Sequence, residues 1–271
     1  METGEGQKAA IVTGAGGTGS GRAIALRLAR AGHPIVVADV KDEGGRETVS
    51  LIEKSGGRAL FCHTDVREEG QVRDLIESSE RVFGALNLLV NNASGPEFRP
   101  DEPLERWCDI VSTDLVGTMH ATRCAIDAMR RAGGGAIVNI ASISALWHGR
   151  RNASVPGYDA AKAGIIRLTT ALAPLVISYG VRVNCLAPGW IATDGPRQYW
   201  ESLTPAQRLE RGVPSRLLRP DQIADAVVML ATDETLTGRV MLWWSEDEPR
   251  LITWGDRGYE DSGTCSLPGS D

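Results

Sequence analysis

Tyr158 and Lys162 stand four positions apart, so on a helix their side chains share one face. A tyrosine phenol has an unperturbed pKa of about 10 and is a poor base at neutral pH. An ammonium beside it favours the phenolate and draws that value down. Such a tyrosine can take a proton from an alcohol, or give one to a carbonyl, while a hydride moves to or from a cofactor. Alone, Tyr-x-x-x-Lys is common on solvated helices. Ser142 follows a strand-like run and adds a hydroxyl able to hydrogen-bond the reacting oxygen. The combination carries the weight.

A second chemical signal lies near the start. Thr13-Gly14-Ala15-Gly16-Gly17-Thr18-Gly19-Ser20-Gly21 closes the first strand-like run and opens a helical one. Glycines there let backbone turn tightly and approach a pyrophosphate, whose charge is stabilised by the helix N-terminus. Asp39 ends the second strand-like run, where a carboxylate can accept both ribose hydroxyls of adenosine and repel a 2′-phosphate. No arginine stands at Val40 or inside the glycine loop, so NAD is favoured over NADP, with Lys41 as the one nearby cation.

The elements that must position these groups alternate along the chain. Apolar runs at 9–13, 34–39, 58–62, 86–91, 136–141, 182–186 and 239–243 are rich in Val, Ile and Leu without strict alternation. That pattern suits parallel strands covered on both faces. Helical segments fall between them at 21–31, 43–54, 69–83, 104–129, 158–178 and 221–231, with Asp221 as a predicted N-cap and Gly180 beyond a last turn. The order predicts an α/β, Rossmann-type, doubly wound parallel sheet of about seven strands with helices on both faces. One domain over 1–259 accounts for it, with a lid at about 190–218 rich in Pro, Arg and aromatics, and a flexible tail at 260–271.

Composition narrows the function classes. The apolar share is 42%, the charged share 24% and the net charge −6, giving no electrostatic reason to expect nucleic acid or an anionic membrane as partner. No apolar stretch approaches the ~20 residues that span a bilayer. The N-terminus shows no secretory pattern, so the expected location is cytoplasmic. Five scattered cysteines include no Cys-x-x-Cys pair and read as reduced thiols; His33, His63, His120 and His148 lie too far apart for a metal site.

Taken together, these residues resemble the short-chain dehydrogenase/reductase family in its compact single-domain branch. The matching motifs are the Thr13–Gly21 loop, Asp65-Val66, Asn91-Asn92-Ala93-Ser94, Ser142, Tyr158-x-x-x-Lys162, Pro188-Gly189 with Thr193, 219–224 and Thr237-Gly238. The resemblance implies that Gly14, Gly19, Ser20 and Gly21 meet the pyrophosphate, and that Asp65 and Val66 hold the adenine. It further implies that Asn91 and Ala93 line the cofactor, with Tyr158 and Lys162 beside it. Pro188, Gly189, Ile191 and Thr193 would complete the nicotinamide end, Thr193 binding the carboxamide. It also implies a homo-oligomer, a dimer or tetramer, with 104–129 and 158–178 forming one interface.

Four departures stand out. The glycine loop has one residue more than usual. The relay asparagine, which in the family supports a water chain leading to the lysine, falls at Asp114. Aspartate accepts the same hydrogen bonds but donates none, and its charge would compete with the tyrosinate for Lys162. The segment between Ser142 and Tyr158 is long and carries Trp147, His148, Arg150 and Arg151, which either meet a polar substrate or lie in a solvated loop. The usual glycine-rich ending is replaced by a segment from Trp243-Trp244 onward. Trp147, Trp190, Tyr199 and Trp200 either line a substrate pocket or pack the lid; Trp243, Trp244 and Trp254 either anchor a subunit contact or are covered by the chain's own tail.

The expected activity is interconversion of a secondary alcohol and a ketone with NAD. Tyr158 is the general acid/base, Lys162 its partner, Ser142 the orienting hydroxyl and Asp114 the substitute for the relay residue. The alternative is a catalytically weak NAD-binding protein acting as sensor or structural partner, and a third reading keeps the cofactor for an epimerase or dehydratase.

Overall fold

The computed structural model describes residues 8–95, 103–146, 155–245 and 247–252. Its strands are β1 (Lys8–Thr13), β2 (Ile35–Asp39), β3 (Ala59–His63), β4 (Ala85–Asn91), β5 (Gly135–Ile140), β6 (Val181–Pro188), β7 (Val240–Trp243) and β8 (Arg250–Leu251). They form one sheet in the order β3-β2-β1-β4-β5-β6-β7-β8. The pairs from β3 to β7 are all parallel, while β8 runs antiparallel to β7. The sheet therefore has eight strands where the sequence suggests about seven. The extra one is a two-residue strand, too short to show any apolar period.

Helices cover both faces. They are α1 (Ser20–Arg30), α2 (Asp42–Lys54), α3 (Glu69–Phe83), α4 (Leu104–Val111), α5 (Gly117–Arg131), α6 (Pro156–Ala171), α7 (Leu175–Tyr179), α8 (Asp194–Glu201), α9 (Pro205–Glu210) and α10 (Pro220–Thr232). On one face Ile24, Leu28, Val227 and Leu230 of α1 and α10 pack on Val12, Val37 and Val138. On the other, Val72, Leu75, Ala125 and Met129 of α3 and α5 pack on Ile11, Leu89 and Ile137. Alternate residues of one strand thus feed two cores, which is why these runs are apolar throughout. Each fully buried Ile or Leu contributes on the order of 1.5–3 kcal/mol relative to exposure.

Three helical expectations change. The segment predicted as one helix over 104–129 is α4 and α5 joined by a wide π-type turn, Ser112–Val116. The segment 158–178 divides into α6 and α7, because Pro174 lacks the N–H that would continue the helix. The N-cap of α10 is Arg219 rather than Asp221, with Pro220 at the first helical position. Gly180 does end α7 in the left-handed region. The 190–218 segment folds into α8 and α9, and its ends are joined by backbone pairing of Trp190 and Ala192 with Leu218.

Candidate active site

β1 and β4 lie side by side, yet the chain leaves β1 toward β2 on one flank and continues from β4 toward β5 on the other. At such a switch point the connections diverge and leave a crevice beyond the strand ends. A cavity of about 940 Å³ opens there, lined by Gly14, Gly19, Ser20, Gly21, Asp39, Asp65, Val66, Ala93 and Thr193 among others. Nine of the residues expected at a cofactor thus share one wall.

The glycine loop is shaped by close approach. Gly14 has φ +68°, and a Cβ there would sit 2.7 Å from the Ala93 Cα. A Cβ on Gly21 would overlap the Gly14 carbonyl oxygen. Asn92 ties the two strand ends together: its Nδ2 donates to the carbonyls of Thr13 (3.0 Å) and Gly14 (3.1 Å). Its Oδ1 accepts from Ser20 Oγ at 2.8 Å. Helix α1 starts at this wall with Gly19 as N-cap and no side chain capping it. Its first backbone N–H groups are the donors an anion would use.

Asp39 Oδ2 accepts from the Gly16 N–H at 2.7 Å and Oδ1 from the Lys41 N–H at 2.9 Å. The carboxylate is held at the end of β2 with lone pairs to spare. Asp65 is engaged differently: Arg67 forks onto both its oxygens, at 2.6–3.0 Å. That guanidinium holds the Asp65 carboxyl below the usual carboxylate range. A cradle of glycines, an uncapped helix start and a poised carboxylate fit a dinucleotide.

Other expected cofactor residues stand elsewhere. The Asn91 side chain turns into the core, where Nδ2 donates to Thr122 Oγ1 (3.0 Å) and Asn139 Oδ1 (2.8 Å). Its neighbour Asn92 takes the cleft side, as alternation along a strand requires. Pro188, Gly189 and Ile191 form the root of the 190–218 segment and are not on the cavity wall. The Gly189 N–H bonds the Trp243 carbonyl, and Ile191 pairs with Leu218. From that root the chain runs to Thr193, whose Cγ2 comes within 3.1 Å of a Cβ built on Gly19. Thr18, within the lengthened loop, donates to Asp194 Oδ2 at 2.9 Å.

Ser142, Tyr158 and Lys162, the last two expected beside the cofactor, form a second cluster that is not among the residues lining this cavity. Ser142 follows β5, and Tyr158 lies in the first turn of α6, with a hydrogen bond between their side chains. Lys162, one turn on and 3% exposed, donates to the Ile140 carbonyl at 3.1 Å. Its ammonium lies 5.2 Å from the centre of the Tyr158 ring. Asp114 completes the group: it is fully buried in the π-type turn, and its Oδ2 lies 3.0 Å from Lys162 Nζ. Asp114 also accepts from Ser94 Oγ and the Gly95 N–H, both at 2.7 Å. Ser94 and Gly95 line the cavity, so Asp114 links the tyrosine–lysine pair to the cofactor wall.

Burial pushes the Tyr158 phenol above its ordinary value; Lys162 and the Ser142 hydrogen bond oppose that rise, and Asp114 adds to it. For Lys162, burial works against the charge, but Asp114 and Tyr158 outweigh it and the ammonium is held above its ordinary value.

Sequence reasoning did not assign roles to Asn92, Ser94 or Gly95. The doubled asparagine and the serine after it were visible, but the register that turns them to the cleft belongs to the sheet. The aromatics of 190–218 pack within that segment: Trp190 stacks on Tyr199 at 5.9 Å, and the Trp200 N–H bonds the Pro214 carbonyl at 2.8 Å. Trp147, His148, Arg150, Arg151, Trp254 and the tail lie outside the described residues. Among the described residues no helix is long and apolar enough to cross a membrane.

A family model described as short chain dehydrogenase matches residues 8–203. The chain is 37% identical to a short chain dehydrogenase/reductase of Aspergillus oryzae, covering 83% of this chain and 88% of that protein. It is 35% identical to cis-4-hydroxycyclohexanecarboxylate dehydrogenase of Sinomonas cyclohexanicum, covering 84% and 90%. With cyclohexanol dehydrogenase of an Acinetobacter species it shares 34% identity over 84% and 88%. The glycine cradle, the Ser142–Tyr158–Lys162 cluster and these matches converge on one assignment: the chain belongs to the short-chain dehydrogenases, NAD(P)-dependent oxidoreductases acting on CH–OH groups.

Proposed function

We propose that this protein interconverts a secondary alcohol and its ketone, with Tyr158 carrying the proton and NAD as the preferred cofactor. The observation that supports it most is the Tyr158–Ser142 pair with Lys162 one turn away, joined through Asp114 to Ser94 and Gly95 of the cavity wall. The nicotinamide cofactor, when bound, accepts or supplies the hydride.

The chain's own groups do the rest. Ser142 donates to the reacting oxygen and fixes its distance from the phenol. Tyr158 then takes the hydroxyl proton in oxidation or returns one to the carbonyl oxygen in reduction. Lys162 spends two of its three N–H donors on Ile140 and Asp114, and the third would meet a ribose hydroxyl. Gly14, Gly19, Ser20 and Gly21 would hold the pyrophosphate, Asp39 the adenosine ribose, Asp65 and Val66 the adenine, and Thr193 the carboxamide. Asp39 repels a 2′-phosphate, which favours NAD. Two relatives act, by name, on alcohols borne on a cyclohexane ring, so ring secondary alcohols are the substrate class to test first. A homo-oligomer joined through α5 and α6 fits the apolar groove bounded by Met119, Cys124, Ile126 and Leu168.

An NADH-absorbance screen over cyclic and acyclic secondary alcohols and ketones, run with NAD and NADP, tests this. Tyr158→Phe should lower turnover about 10²–10⁴-fold, the usual worth of a positioned acid/base. Undiminished turnover in that variant refutes the reading. One observation favours the second reading, a cofactor-binding protein with weak catalysis: the Lys162 charge is already matched by Asp114. Tight NADH binding with no turnover across the screen would select it.

A further inference from the structure

We propose that Thr48, a positioning residue behind the glycine loop, sets the preference for NAD by clamping the peptide between Ala15 and Gly16. The clamp keeps the Gly16 N–H on Asp39, holding that carboxylate for the adenosine ribose and denying the N–H to a 2′-phosphate. The inference rests on the reading of Asp39 as the ribose acceptor and adds the device that holds it in place.

The peptide is held from both sides. The Thr48 hydroxyl, on α2, donates to the Ala15 carbonyl at 2.8 Å, and the Gly16 N–H donates to Asp39 Oδ2 at 2.7 Å. That carbonyl and that N–H belong to one planar trans unit and point in opposite directions, so fixing the first fixes the second. Thr48 is itself oriented by Arg22 of α1, whose Nε donates to Thr48 Oγ1 at 3.0 Å. Oγ1 also lies 3.1 Å from the Gly44 carbonyl of its own helix, but the hydroxyl has one proton and the Ala15 carbonyl is nearer. Arg22 Nη2 grips Glu47 at 2.6 Å and the Gly44 carbonyl at 3.3 Å, which fixes the guanidinium against α2. The donors therefore run in one sense, from the Arg22 cation through hydroxyl and peptide to the Asp39 anion. A chain of this kind polarises each of its members. Thr48 and Ala15 are fully buried, so water does not compete for the central bond.

The loop needs such a clamp because glycine leaves this peptide free to turn. Rotating a peptide plane changes ψ of the residue before it and φ of the residue after it, and Gly16 accepts either sign of φ. Close packing puts Thr48 within reach: a Cβ on Gly44, one turn earlier in α2, would overlap the Gly16 carbonyl oxygen. On the other side, a Cβ on Gly16 would come within 2.7 Å of the Asp39 Cγ, so the carboxylate rests directly on the loop. A turned plane would take the N–H off Asp39 and leave the carboxylate with the Lys41 N–H alone. Asp39 and Lys41 both line the cavity, so the change would be felt where the adenosine ribose binds. Ribose hydroxyls need an acceptor there and a 2′-phosphate needs donors. The clamped peptide serves the first and withholds itself from the second.

The test is the affinity for NADH and for NADPH, by calorimetry, of the wild type, Thr48→Val, Thr48→Ser, Asp39→Ala and the Asp39→Ala/Thr48→Val double variant. Thr48→Val keeps the shape of the side chain and should weaken NADH about fivefold, the worth of one hydrogen bond, while NADPH binds as before or more tightly. Thr48→Ser keeps the hydroxyl and should restore the wild-type preference. In the Asp39→Ala background, Thr48→Val should leave NADH affinity where Asp39→Ala alone puts it, because the clamp then holds nothing for the ribose. An equal loss for NADH and NADPH in Thr48→Val overturns the proposal, as it would mark a general loosening of the loop. So does a loss of NADH affinity that persists undiminished in the double variant, or a Thr48→Ser as impaired as Thr48→Val. If Thr48→Val does not fold, Arg22→Met decides: it strips the donor that orients the hydroxyl, and a preference that fails to move toward NADPH is contrary. An Asp39→Ala variant with the wild-type preference would instead refute the role of Asp39 and take the clamp with it. The clamp alone fails when Asp39→Ala shifts the preference and Thr48→Val does not.

Discussion

Removing one member of the Asp114–Lys162 pair should cost far more stability than removing both. Lys162→Met keeps most of the length of the side chain but deletes its charge, leaving Asp114 fully buried with two hydrogen bonds, from Ser94 and Gly95. Stripping the partner from a buried charge costs about 3–5 kcal/mol, and those two bonds place this variant at the lower end. Asp114→Leu leaves Lys162 with the Ile140 carbonyl as its one remaining acceptor among the described residues, so its cost belongs at the upper end. The double variant buries no charge and loses chiefly hydrogen bonds at about 1 kcal/mol each. It should therefore be more stable than the sum of the singles by about 2–4 kcal/mol. Urea unfolding of the cofactor-free protein at pH 7 gives all four stabilities. Singles that add within 0.5 kcal/mol (about the scatter of independent sites) would show that the two charges do not interact in the folded protein.

The same pair sets a pH signature. Lys162 is held above its ordinary value of 10.5 in the folded chain, so its contribution is complete below that pH and is lost as pH rises through the folded value. The stability gap between wild type and Lys162→Met should be constant from pH 6 to 9 and close only in stronger alkali, whereas a gap that closes already near pH 8 contradicts the assignment. Asp39→Ala removes the charge that repels a 2′-phosphate and releases the Gly16 and Lys41 N–H groups as anion donors. The NADP-to-NAD ratio of kcat/KM should rise at least about tenfold, an ion-pair-scale effect of about 1.4 kcal/mol, and an unchanged ratio refutes the role. Gly21→Ala drives a methyl into the Gly14 carbonyl oxygen and the Asn92 amide, so NADH affinity measured by fluorescence should fall at least about tenfold, the equivalent of one lost hydrogen bond. Cys185, buried and pushed up to about 12, should resist maleimide at pH 8 in the native protein while exposed Cys108 reacts; peptide mass mapping that finds Cys185 labelled would contradict its packing.

The parallel sheet was legible because its chemistry is local: runs such as Ile11–Val12 and Val36–Val37 feed both cores and so carry no alternation. Glycine spacing revealed the cradle for a similar reason, since the positive φ of Gly14 and the overlap of a Gly21 Cβ with the Gly14 carbonyl both arise within one strand–helix junction. What the sequence could not show is register. Asn91 and Asn92 are the same residue type side by side, and only the pairing of β4 with β1 and β5 sends one into the core and the other to the cleft. The 190–218 segment was legible as a departure in composition, but the stacking of Trp190 on Tyr199 depends on α8 folding back over its own root.

Asp114 stands between these two cases. The buried positions Ile110, Asp114, Gly117, Ala121 and Ala125 recur at spacings of three and four, which puts the aspartate on a core-facing helical stripe. A charge on such a stripe demands a partner, because an isolated buried carboxylate would take up a proton instead. Spacing cannot name that partner, and the regular helix it suggests is not what forms. The chain widens into a π-type turn over Ser112–Val116, the kind of local irregularity that persists where something outside the helix compensates for poorer backbone geometry. Here the compensation is three donors on one carboxylate, drawn from the β4 loop and from α6. If so, the turn depends on the charge, and the Asp114→Leu variant should relax it toward a regular helix. Amide exchange across 112–118 would then slow relative to α5, whereas unchanged exchange would mean that the turn is set by backbone packing alone.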